Sequence, residues 1–457
     1  MKAFTHDISK ELNDMGAFLE KRSGLIVRQY YLFEFTKDNE LLVTASNDNG
    51  GITMKFPAQV SKPGKILVPP AISGLLAGLG DVISLTVDGH NELIIKAGTF
   101  DGSLKCLPAE EYPDLPGTNL RKPVKLEPAA FFQLLTVAGF ADNKKEAGGS
   151  ALENMQLKFT EGKKEKTMKV TASAADSVIL ATTTVKAMGS AGDQEMVIHH
   201  SGGEMLRVLL RNAGDAVRLY KGASHLVVKS GAISAWISFM QAQYPDLKPL
   251  FAPSYHCGGC GKGSRMHGVG KQQTCQHCQH LTPAEEVEKI TPQAGVMELA
   301  EFKSGLQRVA THMAAGSLAG EGKGNTPLKN ALLELEQYQV NVRYQVGTRH
   351  TSTMSLPWSS NEVEAIKIGF NLPALKKAVD LLAGLVNEAS LTAAFTAATM
   401  PVMMRVDTDA GPFVSMVMPV LLDQVSVDQE APKKAKAKKK KKAVEKRDSK
   451  QPELSAA

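Results

Sequence analysis

Hydrophobic and polar positions run along this chain with two periods, and the switches between them divide it into elements. Residues 5–21 carry the helical period, with apolar positions on one face. Period two then predicts strands at 31–36, 40–46 and 51–60. Pro69 and Pro70 open a short helix reaching Leu79, because proline is tolerated in a first turn. Strands at 82–87, 92–97 and 103–107 follow, the first two joined by the hairpin turn Asp88-Gly89-His90-Asn91.

The same order returns twice. Helices at 128–141 and 203–212 alternate with strands at 152–160, 167–172 and 177–184, then at 216–220, 224–229 and 232–239. Further on, helices at 298–315 and 373–385 alternate with strands at 331–344, 349–355 and 364–369, then at 389–396, 402–406 and 413–417. Tyr112-Pro113-Asp114-Leu115 recurs as Tyr244-Pro245-Asp246-Leu247, each time after a strand. Three units of helix, three strands, helix, three strands make an α+β chain of repeated domains, each with two helices packed on antiparallel sheets. The units cover residues 1–120, 121–250 and 291–424, with an insert at 251–290 and a tail at 425–457.

Composition narrows the class. Hydrophobic residues make up 43% of the 457 positions, enough for about three cores. No apolar run reaches the roughly 18 residues of a membrane span, and residues 1–7 carry no signal-peptide core. A soluble, cytoplasmic protein is the expectation. The net charge of +6 is concentrated: from Pro432 onward there are eleven Lys or Arg against three Asp or Glu, a net of +8, which leaves the body at −2. If such a near-neutral body meets a polyanion, its positive charge must be concentrated on one face.

Four of the five cysteines fall within 22 residues, and Cys106 stands alone. Cys257-Gly258-Gly259-Cys260 and Cys275-Gln276-His277-Cys278 are two Cys-x-x-Cys knuckles, which together supply a tetrahedral thiolate set. One structural zinc per chain is the expectation, with Cys257, Cys260, Cys275 and Cys278 as ligands. The nearby His256, His267, His277 and His280 are spare nitrogen donors. Four filled positions leave no place for a reactive water. No His-Glu-x-x-His run occurs, and Lys262 and Lys323 are followed by glycine where a phosphate-binding loop needs Ser or Thr. A non-enzymatic protein is expected.

The runs Leu107-Pro108-Ala109-Glu110-Glu111-Tyr112-Pro113, Ile368-Gly369-Phe370-Asn371, Met400-Pro401-Val402-Met403 and Met416-Val417-Met418-Pro419-Val420-Leu421-Leu422, in this order and spacing, resemble the beta-type sliding clamp, the processivity subunit of bacterial DNA polymerase III. That resemblance covers residues 1–424 apart from the insert. It implies three DNA-clamp domains per chain, a homodimeric ring around double-stranded DNA, and partners that include a DNA polymerase and a clamp loader. Six units would offer twelve helices to line the hole. Lys10, Lys21, Arg22, Arg207, Arg211, Lys303, Arg308, Lys376 and Lys377 lie on the predicted helices and are the candidate phosphate contacts. The resemblance also implies a partner-binding cleft between the second and third domains, at Leu180, Pro245, Leu250, Thr399, Pro401, Met418, Pro419 and Leu422. Where the family typically has Gly-His-Arg-Leu, this chain has Ser177-Val178-Ile179-Leu180, and Leu421 stands where Arg is expected.

Like charge and few apolar residues predict a disordered tail attracted to DNA. The competing expectation is a zinc-containing, non-enzymatic nucleic-acid-binding scaffold that does not close into a ring.

Overall fold

The structure is a computed structural model that describes residues 2–4, 8–20, 25–79, 82–117, 122–141, 152, 154–189, 191–209, 215–241, 243–251, 255–256, 263–264, 266–269, 272–275, 278–283, 292–318, 330–336, 338–346, 350–360, 365–386, 389–398 and 400–420. Six α-helices stand among them: α1 Ile8–Met15, α2 Ile72–Leu76, α3 Pro128–Thr136, α4 His200–Leu209, α5 Leu299–Leu318 and α6 Leu372–Ala383. Each is preceded by a short strand and followed by three more, so every unit is two strand–helix–three-strand halves.

The strand ahead of each helix was not anticipated, except Ile366–Asn371. Lys2–Phe4, Gly64–Val68, Val124–Leu126, Gln194–His199 and Gln293–Glu298 are these additions. They knit the two halves of a unit together by exchange. Gly64–Val68 pairs with Tyr31–Phe35 in the other half, and Lys2–Phe4 pairs with Val82–Val87. The second and third units repeat the exchange, with Gln194–His199 on Asn154–Glu161 and Gln293–Glu298 on Ser390–Phe395. The stretch expected as one strand at 331–344 is a hairpin of Asn330–Glu336 and Gln339–Val346.

Sheets also continue from unit to unit. The third strand of the first half of unit one, Gly50–Gln59, pairs antiparallel with the last strand of unit two, Ile233–Ser238. Likewise Ile179–Met188 of unit two pairs with Gly411–Val417, the last long strand of unit three. By that rule two strands are left over, His350–Pro357 in unit three and Phe100–Lys105 in unit one. Among the longer described strands outside the insert, these two have a hydrogen-bonded neighbour on one side only.

The helices form a layer on the sheets. α1 packs on α2, α3 on α4 and α5 on α6, and α1 also touches α4 across the first junction. At the second junction Leu381 of α6 sits over Gly139, where an added Cβ would lie 2.8 Å from it. One apolar core runs beneath all three units, from Leu12 and Phe33 through Phe131 and Phe159 to Phe370 and Phe413. Phe140 and Phe413 meet across the second junction at 5.8 Å between ring centroids. Gln133 locks that junction: its side-chain nitrogen donates to Thr183 Oγ1 at 2.6 Å and to the Gly411 carbonyl at 3.1 Å. Its oxygen accepts from Thr408 Oγ1 at 2.5 Å, so this buried amide is satisfied at both ends. No helix among the described residues is long and apolar enough to cross a membrane.

Candidate functional site

Side chains on the outer face of the second junction gather into an apolar cluster separate from the main core. Ala175, Leu180 and Met416 are buried in it, and Leu152, Leu247, Leu250, Met403 and Met418 pack around them with part of their surface exposed. The sheet pairing builds this arrangement. Leu180 faces Ala175 across one strand pair and Met416 across the other. The Met418 amide donates to the Val178 carbonyl at 2.7 Å, which holds the segment after Gly411–Val417 against the hairpin. Asp176 Oδ1 accepts from the Val178 and Ile179 amides, both at 2.6 Å, and so fixes that hairpin. The Tyr-Pro-Asp-Leu segment forms the other wall: Tyr244 is buried, and Leu247 and Leu250 lie on one short turn. Burial pushes the Tyr244 hydroxyl pKa up.

The first junction has the same register with different occupants. Gly51 faces Ser46 and Trp236, so Ser46, Gly51, Trp236 and Tyr112 stand where Ala175, Leu180, Met416 and Tyr244 stand one junction later. There the buried Trp236 indole sits against Gly51, close enough that an added Cβ would come within 2.2 Å of it. Methionine and leucine replace this ring at the second junction, and the apolar surface of the cluster remains partly open.

The expected cleft residues divide accordingly. Leu180, Leu250 and Met418 belong to the cluster. Pro245 is exposed on the adjoining segment, and Pro401 and Pro419 are half-buried nearby in the chain; Pro419 pairs with Phe370. Thr399 and Leu422 lie outside the described residues. Leu152, Ala175, Leu247, Met403 and Met416 were missed. The repeated Tyr-Pro-Asp-Leu run was the signal that could have found Leu247.

Of the candidate phosphate contacts, Lys10 is exposed on α1, Lys303 and Arg308 are exposed on α5, and Arg207 is half-buried on α4. Lys376 and Lys377 are half-buried on α6, where Lys376 is tied to Asp380 one turn on, so its charge is partly neutralised. Lys21, Arg22 and Arg211 lie outside the described residues.

Cys257 and Cys260 also lie outside them; Cys275 ends the strand Gln272–Cys275, and Cys278 is exposed in the turn that follows. That strand is the middle of a three-stranded sheet with Met266–Val269 and Leu281–Pro283, which sets Cys275 at a strand end. No group of three or more potential metal-binding side chains converges among the described residues. Cys106 is buried, and burial pushes its thiol up to about 11.

No protein-family model and no curated protein matches this chain. Solved structures do. The DNA polymerase III beta subunit of Thermotoga maritima superposes with a TM-score of 0.68 at 14% identity, over 92% of this chain and 99% of that one. The beta subunit from the DNA polymerase of Streptococcus pyogenes gives 0.68 at 14% identity, over 92% and 100%. The Caulobacter crescentus beta sliding clamp gives 0.67 at 18% identity, over 92% and 99%. The fold of this chain is therefore the sliding-clamp fold.

Proposed function

We propose that the chain is a DNA sliding clamp: two copies join head to tail into a ring around duplex DNA and tether a DNA polymerase to it. The observation that carries this reading is the pair of leftover strands. Each internal junction joins a first-half third strand to the last strand of the next unit. His350–Pro357 and Phe100–Lys105 are the same two kinds of strand, at opposite ends of the repeat. One more junction of the same kind, made between molecules, satisfies both edges. A scaffold that stayed open would leave two long edges bare, which native proteins avoid.

In such a ring the helix layer faces the hole. Lys10, Arg207, Lys303, Arg308 and Lys377 would meet phosphates, which carry no sequence information and so permit sliding. The cluster around Leu180 and Met416 would receive short apolar peptides from the polymerase and from a clamp loader. The lysine-rich tail would add sequence-independent attraction to DNA, and the insert would hold one structural zinc through Cys257, Cys260, Cys275 and Cys278. The place of work is the cytoplasm, and no chemical step is required of the protein.

Solution mass at micromolar concentration tests the reading. Two chains of 49.0 kDa should travel together. Leu104→Pro, which removes a donor and breaks the free edge strand, should return the single-chain mass. A single-chain mass for the unaltered protein would overturn it.

A further inference from the structure

The helix layer of unit three holds an open groove of about 550 Å³, between the first half of α5 and the end of α6. Pockets for small molecules span roughly 300–1,000 Å³. Lys303, Ser304, Gln307 and Arg308 line the groove from α5, and all four are exposed. At 3.6 residues per turn, Ser304 and Gln307 fall between the two cations on the helix surface. Ala383 and Val386, at the end of α6, and Ala389 beyond it give the groove an apolar floor that joins the main core. The Leu299 amide donates to the Ala389 carbonyl at 3.2 Å, which ties the two walls together at one end. No acidic residue stands three or four positions from Lys303 or Arg308, and neither has a carboxylate partner among the described residues, in contrast to Lys376 with Asp380. The equivalent helix of unit two, α3, carries no charged side chain at all.

We propose that this groove binds one nucleoside phosphate unit, with the phosphate held by Lys303 and Arg308 and the base laid on Ala383, Val386 and Ala389. A duplex sliding past would use the two cations alone, because its bases stay stacked and paired; the apolar floor between the helices would serve nothing. A single unstacked nucleotide uses both, since it joins a charged group to an apolar face. Ser304 and Gln307 stand between the two ends with a hydroxyl and a carboxamide for the sugar oxygens. The choice of a nucleotide among anions rests on the proposed reading, in which the helix layer faces DNA. The unit can be a free nucleotide or an unpaired nucleotide of a strand inside the ring.

The test compares the full-length protein with Lys303→Gln, Arg308→Gln and Ala300→Leu, the last filling the groove from an exposed helix position. Equilibrium dialysis with labelled dAMP, deoxyadenosine and deoxyribose 5-phosphate reads the free ligand. dAMP should bind about tenfold tighter than either half, the effect of one charge-assisted hydrogen bond. Each glutamine variant should lose about tenfold for dAMP and nothing for deoxyadenosine. Ala300→Leu should lose dAMP although both cations remain. The tail is present in every variant, so its own attraction for phosphate cancels. Nicked circles with one bulged 2-aminopurine, onto which the protein is loaded, read the strand as the source. The fluorescence of that base should change with the unaltered protein and not with Ala300→Leu. A response to dAMP alone assigns the groove to free nucleotides, and a response of the bulge alone assigns it to the strand. If dAMP does not bind, or binds no better than deoxyribose 5-phosphate and ignores Ala300→Leu, and the bulge is silent as well, the nucleotide site is wrong. Retention on intact circles is measured separately, so that failure would leave the clamp reading standing.

Discussion

The hydroxyls of Ser46 and Tyr112 lie 2.7 Å apart in the buried outer face of the first junction, where the second junction has Ala175 and Tyr244. One repeat position thus carries a polar pair in one place and an apolar contact in the other. Ser46→Ala leaves the Tyr112 hydroxyl buried without its partner and should cost about 1–3 kcal/mol, whereas Tyr112→Phe should cost less. The double variant should cost less than the sum of the two. Urea unfolding followed by tryptophan fluorescence checks this, since Trp236 sits in the same junction. Additive costs would show that the two hydroxyls are not coupled.

Gly51 is held to glycine by the indole above it. A Cβ there would come within 2.2 Å of Trp236, so Gly51→Ala should destabilise the first junction by roughly 1–3 kcal/mol through overpacking. Adding Trp236→Ala should recover part of the Gly51→Ala loss relative to Trp236→Ala alone. Thermal midpoints of the three variants give the comparison. No recovery would mean that the indole is not what excludes the side chain.

Gln133 is the polar lock of the second junction. Gln133→Met keeps the volume but removes three hydrogen bonds, to Thr183, Thr408 and the Gly411 carbonyl, each of which keeps one other partner, at a cost of about 2 kcal/mol. Hydrogen exchange should quicken in Ile179–Met188 and Gly411–Val417 and stay unchanged at the first junction. Faster exchange across the whole chain would instead indicate a general loss of stability.

Metal content separates the cysteines. The protein should carry one zinc per chain, and Cys257→Ser with Cys278→Ser should lose it. Cys106→Ser should retain it, because that buried thiol, pushed up to about 11, lies in unit one. Full zinc content in the double variant would remove the assignment.

The tail should act through salt. It holds eleven basic residues from Pro432 onward, and each phosphate it neutralises contributes about −0.9 to the slope of log affinity against log salt. Deleting residues 425–457 should flatten that slope on linear duplexes without changing the solution mass. Equal slopes would leave the tail only a solubilising role.

The three-unit repeat was legible because the longer strands alternate cleanly: 82–87 and 92–97 match Val82–Val87 and Glu92–Ala97 to the residue. The strands ahead of the helices were not. Val124–Leu126 is too short for a period to register, and Gly64–Val68 opens on exposed Gly64 and Lys65. The hairpin at Tyr338 carries no glycine or asparagine at its turn to mark it. In the cleft, Leu180 and Met418 could be placed by resemblance. Met403 and Met416 could not, because a methionine in a strand reads as core until its sheet face and its neighbours are known. The trade of Trp236 for Met416 is likewise visible only once the two junctions share a register.

Release from circular DNA tests the central claim most directly. Protein loaded by a clamp loader onto nicked circular duplex should remain bound through gel filtration at moderate salt, and should leave within minutes once a single cut makes the circle linear. Equal release from intact and cut circles would show that the chain holds DNA by adhesion, and would contradict the ring.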